Sequence, residues 1–145
     1  VEIVEAVGEE NAYIFGARNE EIPQLRAEYN PGELYNSVRG LSRVLDAFTD
    51  GTLGAENNGM FGDLRSSLLD GFGEDAQDTY YVLGDFADYR ETRDRMAADY
   101  DADELAWAKK AWLNICYSGR FSSDRTIAVY ANEVWKLAPT PISAK

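Results

Sequence analysis

The chain has 145 residues, a formal net charge of -12 and no histidine, with a pI near 4.3. That balance speaks against nucleic acid and anionic membrane surfaces, which are bound by clustered Lys and Arg, and the missing histidine removes Ser-His-Asp and Cys-His catalysis and most zinc sites. A hydrophobic content of 45% with 12% aromatic residues is a folded composition, enough for one domain or part of one.

From the start of the chain, Ile3, Val4 and Val7 share a helical face that Gly8 stops, and the apolar run Tyr13-Ile14-Phe15-Gly16 predicts a short buried strand. Asn19 is placed to cap a helix with Glu20 and Glu21 in its first turn and Ile22, Leu25 and Tyr29 at helical spacing. Helix, strand, helix predicts a piece of an α/β layer. A lone strand cannot satisfy its own backbone, and residues 80–83 are the other strand candidate, so the partner strands are expected outside this chain.

Asn30-Pro31 starts a further helix, Asn as cap and Pro in the first turn, with Leu34, Tyr35 and Val38 as its stripe. Leu41, Val44, Leu45 and Phe48 fall at i, i+3, i+4 and i+7 before Asp50-Gly51 ends the run. Residues 51–59 read as a loop, Phe61, Leu64 and Leu68 as a helix, and residues 71–78 as an exposed connection. Asp85 is expected to cap a longer helix carrying Phe86, Tyr89, Arg93 and Met96.

Leu105, Ala108, Trp112 and Ile115 then recur at helical spacing, and Gly119 stands where a left-handed residue would end that helix. Ser122 or Ser123 caps the next helix, with Asp124 at the positive end of its dipole and Ile127, Tyr130, Val134 and Leu137 as its buried stripe. Trp112, Ile115, Ile127, Tyr130 and Val134 are expected in one buried cluster. Residues 139–145 read as an extended tail.

Few residues invite a chemical reading. Arg120 beside Ser122 and Ser123 at a helix N-terminus could hold an anion, but Ser and Asp can fill those donors themselves, so capping is the expected reading. Asp99, Asp101 and Asp103 alternate like the start of a calcium loop, but Glu104 stands at the sharp-turn glycine position and Lys110 at the closing carboxylate, so a cap by Asp101 or Asp103 is expected. Glu9 with Glu10, and Glu20 with Glu21, read as surface pairs. Trp107, Trp112 and Trp135 with Tyr117 and Tyr130 read as core in preference to a sugar-stacking platform. The single cysteine, Cys116, reads as a small core residue, so no disulfide framework exists. No basic-then-apolar leader opens the chain and no apolar run reaches a membrane span, so a cytoplasmic location is expected.

The residues Ser118-Gly119-Arg120-Phe121-Ser122-Ser123-Asp124-Arg125-Thr126-Ile127, with Tyr130-Ala131 and Glu133-Val134-Trp135, resemble the C-terminal signature of the glycogen, starch and maltodextrin phosphorylases. Val1-Glu2-Ile3 is similar to the end of that family's G-x-x-D-G-A-N-V-E-I segment, Gly8-Glu9-Glu10-Asn11 with Ile14-Phe15-Gly16 to its G-E-E-N-x-x-I-F-G, and Tyr29-Asn30 with Glu33 and Tyr35 to its Y-N-x-x-E-x-Y. The resemblance departs at Cys116-Tyr117, where a small residue followed by Cys or Thr is more usual, and at Arg120, where Lys is common.

The resemblance implies an α-1,4-glucan phosphorylase, dependent on pyridoxal phosphate, that moves a glucosyl unit from the non-reducing end of a glucan to inorganic phosphate. It implies a mainly α chain with one or two short strands, the C-terminal part of a Rossmann-like GT-B type α/β domain. Residues 1–145 would form the C-terminal portion of the second, cofactor-side domain. The remainder of the same enzyme would be its partner, and the whole enzyme would be a homodimer. The family's catalytic, cofactor-binding and phosphate-contacting segments correspond to sequence before Val1, so no catalytic, cofactor or metal residue is assigned here. Lys109 and Lys110 lie off the apolar stripe and are expected in solvent with ordinary lysine pKa values near 10.4; Lys136 and Lys145 stand near the end. The alternative from the residues alone is a free-standing acidic helical interaction module.

Overall fold

The computed structural model describes residues 2–54, 59–71, 73, 75–138 and 140. Helices follow one another as α1 (Glu2–Val7), α2 (Ile22–Glu28), α3 (Pro31–Ser37), α4 (Leu41–Asp46), α5 (Met60–Leu69), α6 (Val82–Ala102), α7 (Glu104–Tyr117) and α8 (Ser123–Val129), with 3-10 turns at Glu9–Asn11 and Ser118–Phe121 and a π turn at Tyr130–Trp135. No strand occurs among the described residues. No described helix is long and apolar enough to cross a membrane. The chain divides into two compact units, residues 14–96 and residues 1–13 with 97–145, the division falling within α6.

In the unit of residues 14–96 the core is Leu41, Leu45 and Leu83, with Leu34, Tyr35, Val38, Phe48, Leu68, Leu69 and Phe86 packed on it. Of the stripe predicted for α4, Leu41 and Leu45 form the core and Phe48 reaches it from the turn after the helix stops at Asp46, whereas Val44 is 41% exposed. Asn30 caps α3 as expected, its side chain accepting from the Glu33 N–H at 3.1 Å. Asp46 ties three helices: the Tyr35 hydroxyl donates to it at 2.8 Å and the Arg65 guanidinium at 3.3 Å.

The predicted strand at residues 13–15 forms no strand ladder, and Ile14 and Phe15 are 48% and 46% exposed. With no partner strand at hand, the segment ties down through its flanks. The Gly16 N–H donates to Asp88 at 2.8 Å, the Ala17 N–H to Asp85 at 3.0 Å, and the Phe15 ring meets Tyr89 edge-on at 5.0 Å. Gly16 has φ 89°, and a Cβ there would come within 2.7 Å of the Asp85 carboxylate. Residues 80–83 are likewise no strand, because α6 begins at Val82.

Four local expectations are corrected, two of them by where the hydrogen bonds go. Glu21 stands at the N-cap of α2 in place of Asn19, without a side-chain cap, and its carboxylate accepts from the Arg18 N–H at 2.7 Å. Asp78, in the connection expected to be exposed, is 2% exposed and caps α6 in place of Asp85. Gly119 is not left-handed; it continues α7 into the 3-10 turn. Cys116 is exposed.

The largest correction lies in the other unit. Among its described residues none is buried. The expected cluster is open: Trp112 is 65%, Ile115 63%, Ile127 57%, Tyr130 48% and Val134 62% exposed. Helical spacing predicts which residues share a face; it does not say whether this chain supplies what covers them. The extended tail expected at residues 139–145 falls outside the described residues apart from residue 140.

Candidate functional site

The corner between α7 and α8 is built from local bonds. The Ser122 Oγ accepts from the Arg125 N–H at 3.3 Å and caps α8, with Asp124 in the first turn. Arg125 donates to the Arg120 carbonyl at 2.7 Å, and the Thr126 hydroxyl to the Ser122 carbonyl at 3.1 Å. The Arg120 guanidinium pairs with Glu5 at 3.4 Å. The Arg125 N–H, the Thr126 hydroxyl and the Arg120 guanidinium are thus each engaged within the chain, so the geometry favours the capping reading of Ser122. Ser123 is the first residue of α8, not its cap.

A polar cluster gathers Tyr13, Asp99 and Lys110. The Tyr13 hydroxyl donates to Asp99 at 2.8 Å, the Lys110 ammonium donates to Tyr13 and to Asp99 at 3.3 Å each, and it lies 5.0 Å from the centre of the Tyr13 ring. Lys110 is therefore half-buried and not in solvent. Its hydrogen bond to the Tyr13 hydroxyl, then that to the Asp99 carboxylate, raises its pKa above the ordinary 10.5. A raised pKa keeps the amine protonated at neutral pH, the opposite of what a nucleophilic lysine requires. The Asp99, Asp101, Asp103 alternation resolves the same way: Asp99 serves this cluster, and Asp103 caps α7 by accepting from the Ala106 N–H at 2.9 Å. No group of three or more metal-ligating side chains occurs among the described residues.

An acidic cleft of about 420 Å³ is lined by Glu21, Glu28, Asp85 and Asp88 beside Gly16 and Gly84. Asp85 and Asp88 accept the N–H groups of residues 17 and 16 there, so their chemistry is that of backbone anchors. Glu9, Glu10 and Glu20 are exposed, as expected of surface acids.

Asp78 is the polar residue that the sequence reading missed. Its carboxylate accepts the Val82 N–H at 2.9 Å, the Leu83 N–H at 2.7 Å and the Tyr29 hydroxyl, which in turn accepts the Gly84 N–H at 3.0 Å. Burial first, then the Asp78 partner, pushes the Tyr29 phenol well above its ordinary 10.0. An Asp four residues ahead of an apolar helix start was the available signal, masked by the Gly and Asp content around it.

What remains is an apolar face. Leu105, Trp112 and Ile115 on α7 are 66%, 65% and 63% exposed, and Ile127, Val134 and Trp135 beyond the corner 57%, 62% and 53%. Tyr130 and Trp135 lie 5.7 Å apart with their planes tilted by 34°, not the coplanar shelf on which a sugar ring stacks. Trp107 alone of the three tryptophans is half-buried, meeting the Tyr100 ring edge-on at 5.4 Å. Large hydrophobics at this exposure mark a surface made to be covered.

The family model for carbohydrate phosphorylase matches residues 1–137. Glycogen phosphorylase of Synechocystis sp. is 37% identical over 143 residues, which is 98% of this chain and 16% of that protein. The muscle form of glycogen phosphorylase of Bos taurus is 36% identical over 141 residues, 97% of this chain and 16% of that protein. The glycogen phosphorylase of Chlamydia trachomatis serovar D is 33% identical over 138 residues, 95% of this chain and again 16% of its relative. The chain thus spans about 16% of the length of the curated relatives it matches. With a match that runs nearly end to end, the chain belongs to the carbohydrate phosphorylase family.

Proposed function

We propose that this chain is a structural, non-catalytic segment of an α-1,4-glucan phosphorylase, which transfers a glucosyl unit from the non-reducing end of a glucan to inorganic phosphate and releases glucose 1-phosphate. In this reading residues 1–145 are the C-terminal portion of the second, Rossmann-like GT-B domain. The whole enzyme is cytoplasmic and homodimeric, and its glucan and phosphate are met by residues outside this chain. The observation that carries the reading is the uncovered stripe. Trp112 at 65% exposure and Ile127 at 57% stand at positions whose helical spacing calls for burial, and the relatives are about six times longer than the stretch they share with this chain. The stripe packs against that remainder.

Pyridoxal phosphate, the cofactor the family implies, does not fit the residues described here. Lys110 is held protonated by Tyr13 and Asp99, and Lys109 and Lys136 are exposed with no glycine-rich cradle beside them. The cofactor's lysine accordingly belongs to the rest of the enzyme.

The test uses the full-length protein. It should form glucose 1-phosphate from glycogen and phosphate, and Trp112→Asp or Ile127→Asp should lower its melting temperature by several degrees, since each buries an unpaired charge. Absence of phosphorolysis overturns the enzymatic reading. An unchanged melting temperature for both variants leaves the face uncovered, as a free-standing acidic interaction module would have it.

A further inference from the structure

Four of the chain's fourteen Lys and Arg residues line one groove of about 660 Å³ in the unit of residues 14–96. Arg39 and Arg43 come from the α3–α4 corner and the first turns of α4, while Phe86, Tyr89, Arg90 and Arg93 fall at i, i+3, i+4 and i+7 on one face of α6. Arg90 donates to the Arg39 carbonyl and so pins the corner to α6. Arg93 is paired with the neighbouring Asp94 at 2.6 Å. Neither Arg39 nor Arg43 has a carboxylate partner among the described residues.

Glu91 and Asp94 are the acids on the rim, so four arginines against two acids leave the groove at +2 in a chain of net charge -12. Arg39 and Arg43 are exposed, so their guanidinium groups are open to an anion from solvent. Guanidinium groups offer planar, paired donors that match the oxygens of a phosphate. The volume lies within the roughly 300–1,000 Å³ of small-molecule sites, and the Phe86 and Tyr89 rings give it an apolar wall.

We propose that this groove binds a phosphate dianion, free or as the monoester of a small ring-bearing molecule. Arg39 and Arg43 contact the phosphate oxygens, Arg90 holds the corner that positions them, and Tyr89 and Phe86 receive the ring. Every residue invoked belongs to this chain.

The experiment is equilibrium dialysis of the full-length protein with labelled inorganic phosphate and, in a second arm, phenyl phosphate. Three forms are compared: wild type, Arg39→Gln/Arg43→Gln, and Arg95→Gln, an exposed arginine of α6 outside the groove. Wild type and Arg95→Gln should hold one more phosphate per chain than the double variant, more weakly as salt is raised. If the ring wall contributes, phenyl phosphate binds this extra site about three- to tenfold tighter than inorganic phosphate; equal affinity assigns the site to free phosphate. Equal stoichiometry in wild type and double variant overturns the proposal, as it would if an acidic segment of the remaining chain filled the groove. An equal loss in Arg95→Gln also overturns it, since net charge alone would then explain the binding. A site missing from the double variant counts whether or not the protein catalyses phosphorolysis, so failure of this proposal and failure of the functional reading are distinguishable.

Discussion

Asp78 anchors the start of the longest described helix, because one carboxylate accepts the Val82 and Leu83 N–H groups and the Tyr29 hydroxyl. Asp78→Ala removes the acceptor from three donors beside the core residue Leu83. The expected cost is about 2–4 kcal/mol, a helix cap plus at least one buried unpaired donor. The check is the denaturation midpoint, together with faster amide exchange at residues 82 and 83; a cost under about 0.5 kcal/mol would mean that water replaces the carboxylate. Ser122→Ala should cost about 0.5–2 kcal/mol for the lost cap of α8. The Arg120–Glu5 pair, 41% and 56% exposed, should matter by less than about 1 kcal/mol when Arg120 is changed to Ala. A large loss of phosphate affinity on Arg120→Ala with unchanged stability would return the corner to the list of anion sites. These residues differ in how readable they were. Ser122 stands directly before its helix with Asp124 in the first turn, so the local pattern is the whole explanation. Asp78 sits among Gly and Asp residues, where composition signals a loop and hides that one carboxylate is buried.

At the scale of elements, the Tyr13, Asp99 and Lys110 cluster fastens α7 to the end of α6 and to the segment after α1, and the Asn114 amide adds a bond to the Asn11 carbonyl at 2.8 Å. Because the folded-state pKa of Lys110 is raised, its contribution is complete below the unfolded value of about 10.5 and is lost as pH rises through the folded value. The Tyr29 phenol is also raised, above 10.0, and has the same sign. Stability should therefore be flat in pH from these two groups near neutrality and fall above about pH 10. Lys110→Met should remove part of that alkaline fall, seen as a smaller difference between denaturation midpoints at pH 9 and pH 11. An identical difference in wild type and variant would show that the ammonium adds nothing. Elements were legible where one short period decided them: α3, α5 and α7 lie close to their predicted spans. The strand at residues 13–15 was not, because an apolar run states a wish for burial and leaves the choice between ladder and loop to partners that sequence-local patterns do not contain.

For the whole molecule, the same gap between pattern and partner separates the two units. Residues 14–96 bury the leucines that spacing selects, Leu41 and Leu45, whereas Trp112, Ile127 and Val134 obey the same rule and remain exposed. The family assignment rested on neither, because it was carried by ordered short motifs such as residues 118–127. The assignment in turn bears on where the cofactor chemistry resides, and that can be tested on this chain directly. Reductive labelling with pyridoxal phosphate and borohydride requires an unprotonated amine near a site that holds the cofactor phosphate. Lys110 offers a raised pKa and two hydrogen-bonded partners. The expected outcome is scattered, substoichiometric adducts on exposed lysines such as Lys109 and Lys136, with Lys110 the least labelled of the three. Mass spectrometry of the digested chain reads this out. One adduct per chain on a single lysine would place the cofactor within this segment and reverse the division of labour proposed for it.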